Sequence, residues 1–260
     1  MPSGLPDSQC SPKEYHSCEC VKRSVLDEGL AVLEFLWPGP EPRAGQFFLV
    51  RPQTAPVFLG RPLSVAGWER GKVSFLLAVR GKGTAVLAET RPGEKAFLTG
   101  PLGRGWLEVS GAVGGQAALV SGGVGIAPLV PLAGELGGAP DSRPFDFYAG
   151  FRSRGFFLDR IRARSVIVSS EDGSEGNRGR IPDFLDPKKY AVVFACGPEP
   201  MLKAVAEKCG TAGVPCFISL ERRMACGVGA CLGCTVKTRN GNRRCCADGP
   251  VFNAEDIILD

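Results

Sequence analysis

Five cysteines crowd into residues 226–246, which read CGVGACLGCTVKTRNGNRRCC. Three of them, Cys226, Cys231 and Cys234, are spaced C-x4-C-x2-C, and Cys245 and Cys246 follow a hairpin-like stretch. That is the plant-type spacing for a [2Fe-2S] cluster, in which each iron completes a tetrahedral shell with two soft thiolates. Gly227, Gly229 and Gly233 are expected to let the loop wrap the inorganic core, using backbone angles a Cβ forbids and offering N-H groups to the sulfurs. Zinc is the rival ion, but it favours two separated C-x2-C pairs, and only Cys231 and Cys234 form one. Successive residues of an extended segment point to opposite sides, so one of Cys245 and Cys246 is expected to face away. Spacing alone does not say which.

Composition limits the rest. A chain of 260 residues with 44% hydrophobic and 22% charged content suits two ordinary domains and an appendage. The net charge of +4 is mild and the Lys and Arg are scattered, apart from Arg222, Arg223 and residues 237–244, so nucleic acid is not an expected partner. A solvated hairpin tip around Asn240-Gly241 is the expected account of the second concentration, with a docking patch as the alternative. No apolar run reaches membrane-spanning length, and MPSGLPDSQCSPKEYH has neither a basic start nor an apolar core, so a cytoplasmic protein without a membrane partner is expected. Eleven cysteines do not suggest a disulfide framework, and Cys10, Cys18, Cys20, Cys209 and Cys216 are expected to be free thiols.

The first hundred residues carry short strands punctuated by Pro and Gly. Two at residues 15–37 join at Asp27-Glu28-Gly29, and others fall at 45–52 and 73–79, which predicts an antiparallel β-barrel over 15–107. Arg61-Pro62-Leu63-Ser64 places a guanidinium, suited to a phosphate, near a hydroxyl suited to a ring nitrogen. Gly81-Lys82-Gly83-Thr84 feeds a helix whose first-turn N-H groups suit a pyrophosphate; Thr84 as an ordinary N-cap is the alternative.

Residues 108–218 alternate strands and helices, which predicts an α/β parallel sheet with ligands at the strands' carboxyl ends. An apolar strand from Ala117 leads into a turn with Gly122, Gly123 and Gly125, then a helix. FDFYAGF, SVIVSS and YAVVFACG are further strands, and PEPMLKAVAEKC is a helix. Loops 121–128, 170–173 and 196–201 all fall on the ligand edge. Residues 219–260 form the small cysteine domain.

The order RPLS, GKGT, GPLG, SGGVGIAP, EDGSEG, CGPEPM and then the cysteine domain resembles the ferredoxin-NADP reductase superfamily. Within it, LERRMACGVGACLGC with CCADGPVF is similar to the electron-transfer subunits of dihydroorotate dehydrogenase B, a resemblance that runs from about Tyr15 onward. It implies FAD held by Arg61 at the pyrophosphate and Ser64 at the flavin ring, with Pro62 and Leu63 between them. Leu77 and Ala78 would line the flavin, with Gly83 and Thr84 at the phosphates. NAD would lie along Gly122, Gly123, Gly125 and Pro128, with Cys196, Gly197, Pro198 and Met201 on the far side. Cluster ligands would be Cys226, Cys231, Cys234 and, two residues before the Asp-Gly-Pro-Val-Phe run, Cys246. The implied partner is an FMN-containing dihydroorotate dehydrogenase catalytic subunit in a heterotetramer of pyrimidine biosynthesis, reached through the surface near the cluster with Arg222, Arg223, Arg243 and Arg244.

Electron counting agrees with that set of cofactors. A nicotinamide delivers two electrons as hydride, a [2Fe-2S] cluster takes one at a time, and a flavin does both. The single histidine, His16, leaves no histidine relay. A related bifurcating reductase subunit carries an acidic residue near the position of Cys226, which the cysteine here argues against. A stand-alone NADH-dependent reductase and a non-enzymatic redox sensor are the other readings. Glu171 and Asp172 after SVIVSS predict preference for NADH, because carboxylates repel a 2′-phosphate and accept a ribose hydroxyl.

Overall fold

The computed structural model describes residues 15–53, 57–111, 114–138 and 145–259. Cys10 lies outside them. Strands β1 (His16–Asp27), β2 (Leu30–Leu36), β3 (Phe47–Pro52), β4 (Arg61–Glu69), β5 (Lys72–Ala78) and β6 (Lys95–Leu102) close a barrel in the order β1-β2-β5-β4-β3-β6. Every pairing in it is antiparallel. Alternation along the strands turns Leu33, Phe35, Phe48, Phe75, Leu77 and Leu98 inward. Phe48 meets Trp37 and Phe75 edge-on at centroid distances of 4.8 and 5.5 Å, an arrangement the ring quadrupoles favour. The barrel therefore holds its shape by its own core, and its outer rim is free to carry ligands.

Helix α1 (Lys82–Ala88) follows β5 and buries Leu87 against the barrel. Thr84 is not its N-cap as the alternative reading had it. Thr84 sits one turn in, where its hydroxyl accepts from Arg80 N at 2.8 Å and Gly81 N at 3.1 Å. A short helix, α2 (Trp106–Ser110), links the barrel to the second unit. Its first residue is a bolt: Trp106 is fully buried, its indole N-H donates to Pro128 O at 2.9 Å, and its ring meets Phe194 edge-on.

The second unit is a sheet of β7 (Ala117–Gly122), β8 (Phe145–Phe151), β9 (Ser165–Ser170), β10 (Asn177–Arg178), β11 (Val192–Cys196) and β12 (Cys216–Ser219), with helices α3 (Leu129–Gly137) and α4 (Glu199–Ala212). Those six strands are parallel. A hairpin of β13 (Thr235–Thr238) and β14 (Gly241–Arg244) follows. Its turn is Arg239-Asn240, and Gly241, at φ +93°, opens the returning strand. The cysteine segment is not closed off from the sheet, because β15 (Val251–Asn253) pairs antiparallel with β12 and gives the order β10-β9-β8-β7-β11-β12-β15. The ten described cysteines are unbonded to one another, and Cys18, Cys20, Cys209 and Cys216 are buried thiols, as expected of them.

Candidate functional site

The four expected ligands gather as two pairs. Cys226 and Cys231 lie within hydrogen-bonding reach of one another, and so do Cys234 and Cys246. Among the described residues no three His, Cys, Asp or Glu side chains meet at one ion position. The four thiols would supply the sulfur donors that a [2Fe-2S] core needs. The backbone supplies the second shell: Val228 N and Cys231 N donate to Cys226 Sγ at 3.5 and 3.4 Å, Gly229 N to Cys246 Sγ at 3.1 Å, and Cys246 N to Cys234 Sγ at 3.4 Å. Burial pushes the Cys226 thiol up, but the N-H groups of Cys231 and Val228 outweigh it and bring the thiol down to about 6. Burial, with Cys234 beside it, pushes Cys246 up to about 12; a cation between the two sulfurs reverses that balance. The segment fits the cluster.

The two adjacent cysteines take different partners. Cys245 N is tied to Cys234 O at 3.1 Å, and Cys245 Sγ turns away from the other thiols to donate to Leu220 O at 3.3 Å. Two of the glycines behave as expected. Gly227 at φ +72° rests on Leu49 and Leu102, and a Cβ on Gly229 at φ +80° would stand 2.9 Å from that of Ala247. Gly233 needs neither a special angle nor close quarters, its Cβ position being 3.6 Å from Cys231 Sγ. The left-handed residue there is Leu232, at φ +59°.

On the barrel rim, Arg61 reaches over the start of α1. A Cβ on Gly83 would stand inside the Arg61 guanidinium, so this glycine is what allows the cation to lie across the turn. The Arg61 guanidinium also donates to Leu59 O. Ser64 is half-buried on the outer face of β4, next to Ala66, which packs into the core of the second unit; Pro62 is exposed on that same face. Leu63 and Leu77 point the other way, at 8% and 1% exposure inside the barrel core, so their side chains do not line the cleft. Ala78, at the end of β5, packs toward the sheet.

At the carboxyl edge of the sheet the loops after the neighbouring strands β7 and β11 press together. A Cβ on Gly122 would stand 2.7 Å from Met201 Sδ and 2.8 Å from Pro198 Cδ, and one on Gly125 would run into the Cys196 carbonyl. Gly197 faces Gly122 in return, with Gly122 N 2.9 Å from its Cβ position. Gly123 takes φ +54° with open space beside it. Pro128 heads α3 and is held through its carbonyl by Trp106. The eight expected nucleotide residues are thus brought to one edge, as a backbone-lined trough.

Two residues beside the expected Cys196, Glu221 and Arg80, escape a motif-based reading. Glu221 stands where β12 leaves the sheet; desolvation pushes its carboxyl up, and Arg80, just before the Gly81 turn, draws it down. Desolvation likewise raises the Cys196 thiol, with Glu221 adding to it. Glu221, just after β12, therefore lies within electrostatic reach of both Arg80, which follows β5, and Cys196, the last residue of β11. The sequence signal was a lone acid between the last parallel strand and the cluster loop. Asp172 is exposed and holds Ser174 N and Ser174 Oγ at 3.0 and 2.6 Å, which lowers its carboxyl. Of the four arginines expected near the cluster, Arg222 is paired with Glu199 at 3.2 Å and Arg244 with Asp248 at 2.9 Å. Arg223 and Arg243 remain exposed.

Comparison with known proteins agrees with this geometry. A family model described as the iron-sulfur cluster binding domain of dihydroorotate dehydrogenase B matches residues 221–258. The chain is 41% identical over 251 residues to the dihydroorotate dehydrogenase B (NAD(+)) electron transfer subunit of Clostridium acetobutylicum, covering 95% of this chain and 99% of that protein. The corresponding Clostridium perfringens subunit is 41% identical over 216 residues, covering 82% and 86%. Among solved structures, a chain of the NADH-dependent reduced ferredoxin-NADP oxidoreductase superposes with a TM-score of 0.83 at 29% identity, covering 94% and 90%. A ferredoxin reductase of carbazole 1,9a-dioxygenase shares the fold at a TM-score of 0.67 and 22% identity, covering 79% and 68%. The chain belongs to the family of dihydroorotate dehydrogenase B electron-transfer subunits.

Proposed function

We propose that this chain carries electrons between NAD(H) and the FMN-containing catalytic subunit of a dihydroorotate dehydrogenase, in a cytoplasmic heterotetramer serving pyrimidine biosynthesis. One observation carries the reading: a backbone-lined nucleotide trough, a rim arginine over a glycine turn and two thiol pairs stand in one chain, with the barrel-sheet seam between them. When bound, FAD exchanges hydride for single electrons and a [2Fe-2S] cluster carries them singly. The residues bind and orient. Arg61 offers a forked cation to the pyrophosphate and Ser64 a hydroxyl to the flavin ring, with Gly83 and Thr84 beside the phosphates. Gly122, Gly123, Gly125 and Pro128, with Cys196, Gly197, Pro198 and Met201 opposite, hold the nicotinamide nucleotide close to the seam. Cys226, Cys231, Cys234 and Cys246 ligate the irons, and the N-H groups of Val228, Gly229, Cys231 and Cys246 steady the sulfurs. We assign 15–107 to FAD, 108–218 to NAD and 219–260 to the cluster.

Adding NADH anaerobically to the chain loaded with FAD and iron should bleach the flavin and produce a reduced [2Fe-2S] EPR signal, while Arg61→Ala should retain the cluster but lose most of its FAD. A cluster that NADH leaves oxidised contradicts the route.

A further inference from the structure

The two thiol pairs differ in exposure. Cys231 is exposed and Cys226 half-exposed, whereas Cys234 and Cys246 are 2% and 1% exposed. Electrons leave most readily where an acceptor approaches closest, so the edge marked by Cys226 and Cys231 is the exit. Its surroundings are apolar. Val228 and Leu232, on the loop carrying these ligands, are 47% and 62% exposed. Leu232 keeps its side chain in water from a left-handed backbone that a non-glycine residue rarely adopts. Phe58 is 93% exposed and Leu59 44%. Their loop lies on the same flank, because Gly60 and Gly227 both rest on Leu49, with Cβ positions 3.0 and 2.8 Å from its side-chain carbons.

A lone exposed apolar side chain needs no explanation, but four of them, one an aromatic almost wholly in water, flank one electron exit. Of the four arginines expected near the cluster, Arg222 and Arg244 are paired within the chain, and Arg223 and Arg243 are exposed. Large rigid side chains that enter a partner's pocket supply most of the affinity of such contacts. We propose that Phe58, Leu59, Val228 and Leu232 are the apolar anchor on which the catalytic subunit docks, with Phe58 entering an apolar pocket of that subunit beside its own redox group. The proposal rests on the electron-transfer reading above.

The test uses the chain loaded with FAD and cluster, titrated calorimetrically with purified catalytic subunit. Phe58→Ser should weaken binding at least tenfold and Leu232→Asn similarly, while FAD content, cluster absorption and NADH-dye activity stay at the wild-type level. Val25→Ser, at an exposed apolar position on β1 (59%), should bind as wild type. Wild-type affinity in both Phe58→Ser and Leu232→Asn, or equal weakening by Val25→Ser, overturns the anchor alone. Failure of the unmutated chain to bind the catalytic subunit overturns the proposed function and the anchor with it.

Discussion

The pair Cys245 and Cys246 shows how one residue step decides chemistry. Cys246 Sγ accepts from Gly229 N beside Cys234, and Cys245 Sγ donates to the Leu220 carbonyl. Cys246→Ser should therefore lose or alter the visible absorption and EPR signal of the cluster, while Cys245→Ser keeps both. Equal iron loss in the two variants, or loss only in Cys245→Ser, contradicts the assignment. That one thiol faces away was expected from strand alternation, but both cysteines lie in the turn after β14, where Ala247 N and Asp248 N donate to Arg244 O. Which one does so was legible only through the family resemblance, because it depends on the hairpin bringing Cys245 N to Cys234 O. Gly83 is a second decisive position. A methyl group there collides with the flexible end of Arg61, so Gly83→Ala should leave the fold intact but weaken FAD binding by about 1–3 kcal/mol, roughly 5- to 150-fold. Unchanged FAD affinity in fluorescence titration contradicts this role.

Elements divide by how much local information they carry. Strands β1, β2, β3 and β5 and helices α3 and α4 follow from periodicity and turn residues, and they match their expected places. Most of β4 and all of β6 were not legible. Pro62 and Gly67 interrupt RPLSVAGWE, KAFLTGPL ends in residues that usually break strands, and β4 absorbs its glycine in a register shift between Val65 and Gly67. Closure of the barrel overrides those local preferences. The loop after β9 is where a nucleotide preference is expected: Asp172 is held ionised by Ser174, and Asp172 N donates to Arg152 O. NADH should give the larger kcat/KM with an artificial acceptor. Parity with NADPH, or preference for it, contradicts this.

At the opposite edge of the sheet, a partly buried network braces the starts of β8, β9 and β11. Asp146 accepts from Arg164 at 2.7 and 3.0 Å and from Tyr190 at 2.8 Å. Burial raises its carboxyl, but the hydrogen bonds from Arg164 and Tyr190 outweigh it and hold it below the ordinary aspartate value. Because the folded value is the lower one, this stabilisation is present above the unfolded value of about 3.9 and lost as pH falls through the folded one. Asp146→Asn should cost about 2 kcal/mol near neutrality and lessen the loss of stability on acidification below pH 4. An unchanged acid limb in thermal unfolding contradicts it.

The whole molecule is a relay built around one seam. Trp106 ties the barrel loop at Ala44 to Pro128 at the head of α3, and β15 ties the cluster segment to the sheet, so neither end of the route is left to a flexible linker. No helix among the described residues is long and apolar enough to cross a membrane. The identifiable sites handle flavin, nicotinamide and iron-sulfur electrons, which leaves dihydroorotate oxidation to a partner. Reconstitution tests that division of labour most directly: dihydroorotate-dependent reduction of NAD is measured with the loaded chain alone, then with the catalytic subunit added. The chain alone should oxidise NADH with dyes and show no such activity, and the addition should create it. Dihydroorotate oxidation by the chain alone, or none after the two are combined, would contradict the account.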